Sequence, residues 1–356
     1  MNRLKKIVLT ISIAANLLLI AAMLTCAYTA YLPSQDYPRL SYLGLMFPVF
    51  LVANICTIPC WLILKWKFTA LPLVGMLLCA GSIRAYFPLN LPSTPPEGSY
   101  KLLSYNVMSF GKIGNDWESN PIVEYLLESD ADIICLQEAQ KFYLDRVLPQ
   151  MLETYPYYAV ELTTNSYIAC FSKFPIVSST KIEYISVTNC SYAYEMLVGN
   201  DTLVLINNHL ESYKLAQEDK ADYKSIITNY KDPRQNHSKS KFLNLADKLA
   251  HGDSIRGVQV DSVASYIERN KDRHILACGD FNSSPISYVH HKMTDNLYDA
   301  FASNGCGLGI SYNRSGMYFR IDHIFASPNV STYGTRIDDS IDTSDHYPMV
   351  CFFTLE

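Results

Sequence analysis

Three runs without a single charged residue fill most of the N-terminal part of the chain: residues 7–30 (IVLTISIAANLLLIAAMLTCAYTA), 40–64 (LSYLGLMFPVFLVANICTIPCWLIL) and 68–83 (FTALPLVGMLLCAGSI). A helix rises about 1.5 Å per residue, so roughly 20 apolar residues cross a bilayer. The first two runs exceed that length. The third reaches it only by continuing through Arg84 to about Leu89, with the arginine snorkelling to the interface. A cleaved signal peptide fits poorly, because its apolar stretch is shorter and would not be followed by two more. A lipoprotein signal fits no better, since Cys26 follows Thr25 deep inside the run. The expectation is a membrane region over residues 1–90, with helices at about 7–30, 40–64 and 68–89.

Basic residues orient such a region. Arg3, Lys5 and Lys6 precede the first run, and Lys65 and Lys67 separate the second from the third. The loop between the first two runs holds only Arg39, near Asp36. Three crossings then place everything after residue 90 outside the cytoplasm, in an integral protein of a bacterial inner membrane.

Residues 91–99, which include PSTPPEGS, read as a proline-stiffened linker. Residues 100–356 are long enough for one well-buried domain. They carry 22 Lys and Arg against 32 Asp and Glu, a balance near −10. Loosely held nucleic acid needs a basic surface, so this balance disfavours a nonspecific polyanion binder. Cys135, Cys170, Cys278 and Cys351 lie inside apolar runs, as small core residues do. No Cys/His spacing suggests zinc.

Short runs rich in Ile, Val, Phe, Tyr and Cys recur at Lys101–Val107, Asp132–Gln137, Tyr167–Ser172, Glu195–Leu197, Thr202–Asn207, His274–Cys278, Arg320–Phe325 and Met349–Phe353. Their composition predicts strands. Pro121–Leu127 reads as a helix start with Asn120 as N-cap, and Lys241–Ala250 and Val258–Arg269 as amphipathic helices. The pattern predicts an α/β domain with a mixed sheet. Segment 211–257 is a long polar insertion between candidate site strings. It is either a solvated surface loop or an element shaping substrate access.

Polar residues cluster where these strands end: Asn106, Gln137-Glu138, Asn207-Asn208-His209, Asp280-Phe281-Asn282, Asp322-His323 and Asp345-His346. Each alone reads as a turn. Together they could converge on one rim, and carboxylates and amides without cysteine suit Mg²⁺ or Mn²⁺.

Seven strings carry a family likeness in order: LLSYNVMSF (102–110), DIICLQEAQ (132–140), FSKFPI (171–176), NNHLES (207–212), GDFNSSP (279–285), RIDHIF (320–325) and SDHYPMV (344–350). The stretch 100–356 resembles the endonuclease/exonuclease/phosphatase superfamily, the deoxyribonuclease-I-like metal-dependent phosphoesterases. The resemblance implies a four-layer α/β sandwich of two packed mixed β-sheets flanked by helices. It implies Mg²⁺ (or Mn²⁺) held by Glu138, Asp345 and Asn106, the last also contacting phosphate. Asp280 would orient or deprotonate water, and Asn282 would hold that water or a phosphoryl oxygen. His346 would sit beside the phosphate with Asp322 fixing its ring, and His209 near the leaving oxygen. Glu195, from position alone, is the candidate partner of His209.

His323 stands where many relatives have Tyr. It points away from the face of Asp322 and reads as structural or surface. His237, His251, His274, His290 and His291 match no motif. The implied chemistry is in-line attack of water on a phosphoester, without a covalent enzyme intermediate. The substrate could be a lipid head group, a small phosphoester or nucleic acid. A membrane anchor and acidic domain favour the first two over a nuclease, and an inactive binding module is the rival class. No sequence feature calls for a protein partner.

Overall fold

A computed structural model describes residues 3–112, 120–162, 167–186, 189–214, 218–219, 237–314 and 316–356. The apolar N-terminal part forms α1 (Arg3–Tyr28), a short α2 (Pro38–Ser41) and α3 (Phe47–Lys65). Arg3–Tyr31 and Pro38–Leu78 are the two helical stretches among the described residues that could cross a membrane by length and composition.

The expected third spanning helix over 68–89 is not formed. The chain leaves α3 through extended backbone at Lys65, makes a 3-10 turn over Trp66–Thr69, and continues as α4 (Ala70–Leu78). It breaks again at Cys79 before α5 (Ala80–Tyr86). Helices of nine and seven residues each fall well short of a hydrocarbon core about 30 Å thick. Pro72, Gly75 and Gly81 in this run are poor helix formers.

α1 and α3 are held together by polar residues in apolar surroundings. Trp61 Nε1 donates to Asn16 Oδ1 at 2.8 Å, and Asn54 Nδ2 donates to the Leu19 carbonyl at 3.2 Å. Met23, Cys26, Ala27, Phe47 and Leu51 add a buried apolar cluster between the two helices. The outer faces remain apolar and exposed, as at Leu18, Val52, Ile63 and Leu77.

The rest of the chain contributes β1 (Tyr100–Asn106), α6 (Pro121–Glu128), β2 (Ile133–Gln137), α7 (Lys141–Thr154), β3 (Tyr157–Leu162), β4 (Tyr167–Ser172), β5 (Ile176–Ile182), β6 (Cys190–Val198) and β7 (Asp201–His209). After these come α8 (His237–Arg269), β8 (His274–Asp280), α9 (Tyr288–Met293), β9 (Tyr298–Asp299) and α10 (Ala300–Asn304). The chain ends with β10 (Tyr312–Arg314), β11 (Met317–Phe319), β12 (Asp322–Ala326), β13 (Val330–Ile337) and β14 (Met349–Leu355).

Two six-stranded mixed sheets result, in the orders β13-β14-β1-β2-β4-β3 and β5-β6-β7-β8-β12-β9. β1 and β2 are parallel, as are β7 and β8, and the remaining neighbours are antiparallel.

Side chains alternate along a strand, so each central strand serves two cores. Leu102, Ile133, Cys135, Leu276 and Cys278 fill the space between the sheets. Leu103, Ile134 and Leu136 face α6 and α7, where Leu126, Leu144 and Val147 wait. Ile275 and Ala277 face α8 through Val260, Val263 and Ile267. Burial on both faces explains why these strands read as continuous apolar runs. Asn120 caps α6 as expected, its Oδ1 accepting from Ile122 N at 2.9 Å.

The two amphipathic patterns at 241–250 and 258–269 fuse into one 33-residue helix, α8. The end of segment 211–257 is therefore helix, while its stretch 220–236 lies outside the described residues. Gly252 and Gly257, which would be expected to weaken a helix, are sites of close approach. A Cβ on Gly252 would meet Tyr213 at 2.8 Å, and one on Gly257 would meet Gln35 Oε1 at 2.2 Å.

Candidate active site

The parallel pairs β1/β2 and β7/β8 end on one rim, and antiparallel β12 begins there. Backbone register lines up three polar residues across adjacent strands: His209 opposite Asp280, and Asp280 opposite Asp322. Gly279 makes the tight parallel pairing possible. Its φ is +131°, and a Cβ there would lie 2.0 Å from the Asn208 carbonyl oxygen. The facing sheet brings Asn106 and Glu138 to the same place. Asn106 Nδ2 donates to Asp280 Oδ2 at 3.0 Å and to Glu138 Oε1 at 3.2 Å.

His346, just before β14, completes the cluster. Its Nδ1 is 2.7 Å from Asp322 Oδ2 and its Nε2 is 3.7 Å from Asp280 Oδ2. His209 Nε2 lies 3.7 Å from Glu138 Oε1 and 3.9 Å from Asp280 Oδ2. Asn282 holds the loop that follows β8: its N–H donates to Asp280 Oδ1 at 2.9 Å and its Nδ2 to the Leu210 carbonyl at 3.0 Å. Glu138 and Asn282 both adopt left-handed backbone, with φ of 53° and 49°. Non-glycine residues accept this cost of order 1 kcal/mol where their surroundings over-determine it, often at functional sites.

Burial pushes the Asp280 carboxyl up to about 6, with the Asp322 charge adding to it and the imidazoles of His346 and His209 opposing it. Burial pulls His346 down, but Asp322 and Asp280 together hold it well above its ordinary range. The ring is thus kept as an imidazolium beside a carboxylate poised near neutrality.

Asp280, Asp322 and His346 have ligand atoms close enough to hold a metal ion by distance alone. Asp322 and His346 are engaged with each other, however, and a cationic ring is no metal ligand. The available oxygens in the cleft belong to Glu138, whose side chain is 40% exposed, and to half-buried Asp345. Carboxylate oxygens of this kind suit a hard divalent cation, while Asn106 turns its Nδ2 to Glu138 and its Oδ1 accepts from Met108 N–H at 3.1 Å.

Glu195 is not brought to this site. It pairs with Val204 on β7, whereas His209 pairs with Cys190, five residues along, a separation of about 16 Å. Its Oε1 instead takes Arg273 Nη1 at 2.5 Å. His323 is structural and not on the surface: it is buried, its Nε2 is 2.8 Å from the Ser283 carbonyl, and its ring packs edge-on against Phe281 and His290 and tilted against Phe325. Two further features had no role assigned from the sequence, although Gln137 and Asn207 lie in the strings DIICLQEAQ and NNHLES. Gln137 Nε2 donates to Asn207 Oδ1 at 2.7 Å beneath the rim, tying the two sheets together. Tyr312 sets its ring 5.2 Å from that of His346.

The rim opens into a cleft of about 260 Å³ lined by Glu138, Asp280, Asn282, Asp345 and His346. Leu45, Tyr213, Leu245, Leu249, Phe319 and Ile321 also line it. Two packed mixed sheets with carboxylates, amides and an aspartate-bound histidine on their shared rim define a phosphoesterase fold. The chain belongs to the Endonuclease/Exonuclease/phosphatase family, which matches residues 103–346. A domain of unknown function (DUF8431) matches residues 5–86.

Human 2',5'-phosphodiesterase 12 is 24% identical over 243 residues, covering 61% of this chain and 37% of that protein. The rat protein of the same name is 24% identical over 219 residues, covering 55% and 34%. The chain thus spans about a third of the length of these curated relatives. The human nocturnin catalytic domain with bound sulfate shares the fold with a TM-score of 0.54 at 16% identity, covering 75% of this chain and 96% of that one. An endonuclease/exonuclease/phosphatase from Bacteroides vulgatus does so with a TM-score of 0.50 at 14% identity, covering 73% and 100%.

Proposed function

We propose that this protein is a membrane-anchored phosphodiesterase that uses a divalent metal ion and directs water in line at a phosphodiester. The observation that carries the reading is the Asp280–His346–Asp322 arrangement, a carboxylate with a raised pKa beside a fixed imidazolium. Asp280 orients the water and accepts its proton, a role that a carboxylate near pKa 6 performs well. His346 presents positive charge to the phosphoryl oxygens as they gain negative charge. Asp322 keeps that ring charged and oriented. Asn282 fixes Asp280 through its backbone N–H and borders the water's position. His209, whose Nε2 lies near Glu138 and Asp280, would protonate or stabilise the leaving oxygen.

Glu138, Asp345 and Asn106 would hold Mg²⁺ or Mn²⁺. Such an ion, when bound, neutralises phosphate charge and polarises the phosphoryl group.

Membrane anchoring rests on α1 and α3, whose apolar faces are mostly exposed, unlike core helices. The turn between them bonds directly to the catalytic domain through Ser34 and Asp253, so turn and domain lie on one side. Arg3, Lys5 and Lys6 mark the other end of α1, and Lys65 and Lys67 the other end of α3. The basic ends would be cytoplasmic and the catalytic domain outside, which requires the chain to return from Lys67 to the domain side through α4 and α5, where Ala85 meets Arg320.

A second reading, an extracytoplasmic nuclease or oligonucleotide phosphodiesterase, draws support from the name of the curated relatives, 2',5'-phosphodiesterase 12. The acidic balance of residues 100–356 weighs against it.

The test is hydrolysis of bis-p-nitrophenyl phosphate by the full chain in detergent. Rate should rise with added Mg²⁺ or Mn²⁺ and vanish in EDTA. Full activity in EDTA would rule the reading out.

A further inference from the structure

The turn joining α1 and α3 forms part of the cleft wall. Leu45, in the 3-10 turn Tyr42–Met46, lines the same cavity as Asp280 and His346. Specific bonds fix the turn in place. Ser34 Oγ donates to the Asp253 carbonyl at 2.7 Å, Ser41 Oγ to Asp253 Oδ2 at 2.6 Å, and Gln35 Nε2 to Asp261 Oδ2 at 2.8 Å. Gly44 lies flush on the loop after β8, where a Cβ would be 2.0 Å from the Ile286 carbonyl oxygen. Asp253 is itself held by Arg256, whose guanidinium lies over the ring of Tyr213 in the cleft.

The lining of the cleft is of two kinds, carboxylates with the imidazolium and an apolar set of Leu45, Leu245, Leu249, Met317 and Phe319. Its one described lysine, Lys214, is paired with Glu211 at 2.5 Å. A nucleic acid backbone would need cations there, and it would waste an apolar wall. From Leu45 the chain continues directly into exposed Met46 and Val49 at the start of α3.

We infer that the α1–α3 turn is a substrate-binding element and that the substrate is a membrane amphiphile. Its phosphodiester lies at Asp280 and His346, and its apolar portion lies against Leu45, Leu245 and Leu249. This rests on the phosphodiesterase reading and adds the substrate class to it. Leu45 is then a specificity residue supplied by the membrane region itself.

The experiment compares two chromogenic esters with one leaving group, hexadecyl p-nitrophenyl phosphate and methyl p-nitrophenyl phosphate, with the full chain and Mg²⁺. Wild type should prefer the hexadecyl ester in kcat/KM by at least about tenfold, since each buried methylene adds to binding. Leu45→Ser and Leu249→Ser, on separate elements, should each reduce that preference about fivefold or more. Leu197→Ser, exposed on β6, should leave it intact. Hydrolysis of both esters with no chain-length preference, or a preference untouched by both variants, overturns the inference and leaves the phosphodiesterase reading standing. A higher kcat/KM on a DNA or RNA oligonucleotide does the same. No metal-dependent hydrolysis of any of these esters or oligonucleotides overturns both.

Discussion

Asp322 faces Asp280 directly across neighbouring antiparallel strands, and His346 is bonded to the first and lies 3.7 Å from the second. Two carboxylates this close would repel each other in a buried site. Burial raises Asp280 most and the Asp322 charge adds to it; the imidazolium of His346 opposes both, so Asp280 rises only to about 6. The strand register sets this relationship, which needs no flexible loop on the aspartate side.

A bell-shaped pH profile is expected. Activity needs Asp280 ionised, so kcat/KM should fall as pH drops through about 6. It also needs His346 protonated, so kcat/KM should fall again only when pH rises through that group's raised pKa. Asp322→Asn removes the leading cause of that elevation. The alkaline limb should move to lower pH, with kcat/KM at neutral pH down about 100-fold. An unmoved alkaline limb would show that His346 does not depend on Asp322.

Acid should destabilise the fold through His323. Burial, with His290 adding to it, depresses its pKa to about 3. The unfolded chain takes up this proton near pH 6.5 and the folded chain does not. Stability therefore falls as pH drops below about 6.5, by about 1.4 kcal/mol per unit at the steepest, until about 3. His323→Gln, whose amide can still reach the Ser283 carbonyl, should flatten the decline of Tm with acid. An equal slope in the variant would place the acid sensitivity elsewhere.

Gly257→Ala should destabilise the full chain by about 1–3 kcal/mol. Alanine favours a helix by about 1 kcal/mol, yet its Cβ would meet Gln35 Oε1 at 2.2 Å and Ser34 Oγ at 2.5 Å. Gly81→Ala, with nothing near its Cβ, should not destabilise. Thermal unfolding in detergent reads both.

Glu195→Gln should leave kcat/KM within about twofold, because its partner is Arg273 and the pair is partly exposed. A large loss would restore Glu195 to the catalytic set.

The sequence exposed the site residues because their strands are buried on both faces, so the apolar runs stop abruptly at the rim. Each of Asn106, Glu138, Asp280 and Asp345 alone read as a turn or a solvated strand end, and only the seven strings in order set them apart. Register could not be read. Glu195 seemed near His209 because both lie in the β6–β7 hairpin, and only the pairing shows them at different heights. Edge strands β3, β5 and β13 carry mixed, half-exposed sequences, and their apolar signal is weak. Two amphipathic stretches read as separate helices prove to be one helix, α8, in which Gly252 meets Tyr213 and Gly257 meets Gln35 and Ser34, more than two hundred positions away. The same contact brings Leu45 to the cleft, which no local pattern could announce. The third apolar run could be extended to a spanning length through Arg84 because composition does not report the break at Cys79.

The central claim is that Asp280 directs water at a phosphodiester on this rim. The most direct test is kcat/KM for bis-p-nitrophenyl phosphate with Mg²⁺, comparing the full-length wild-type chain with Asp280→Asn, both checked for equal helix content and Tm. The account expects a loss of at least about 1000-fold with the fold intact. A folded Asp280→Asn protein within tenfold of wild type would contradict it.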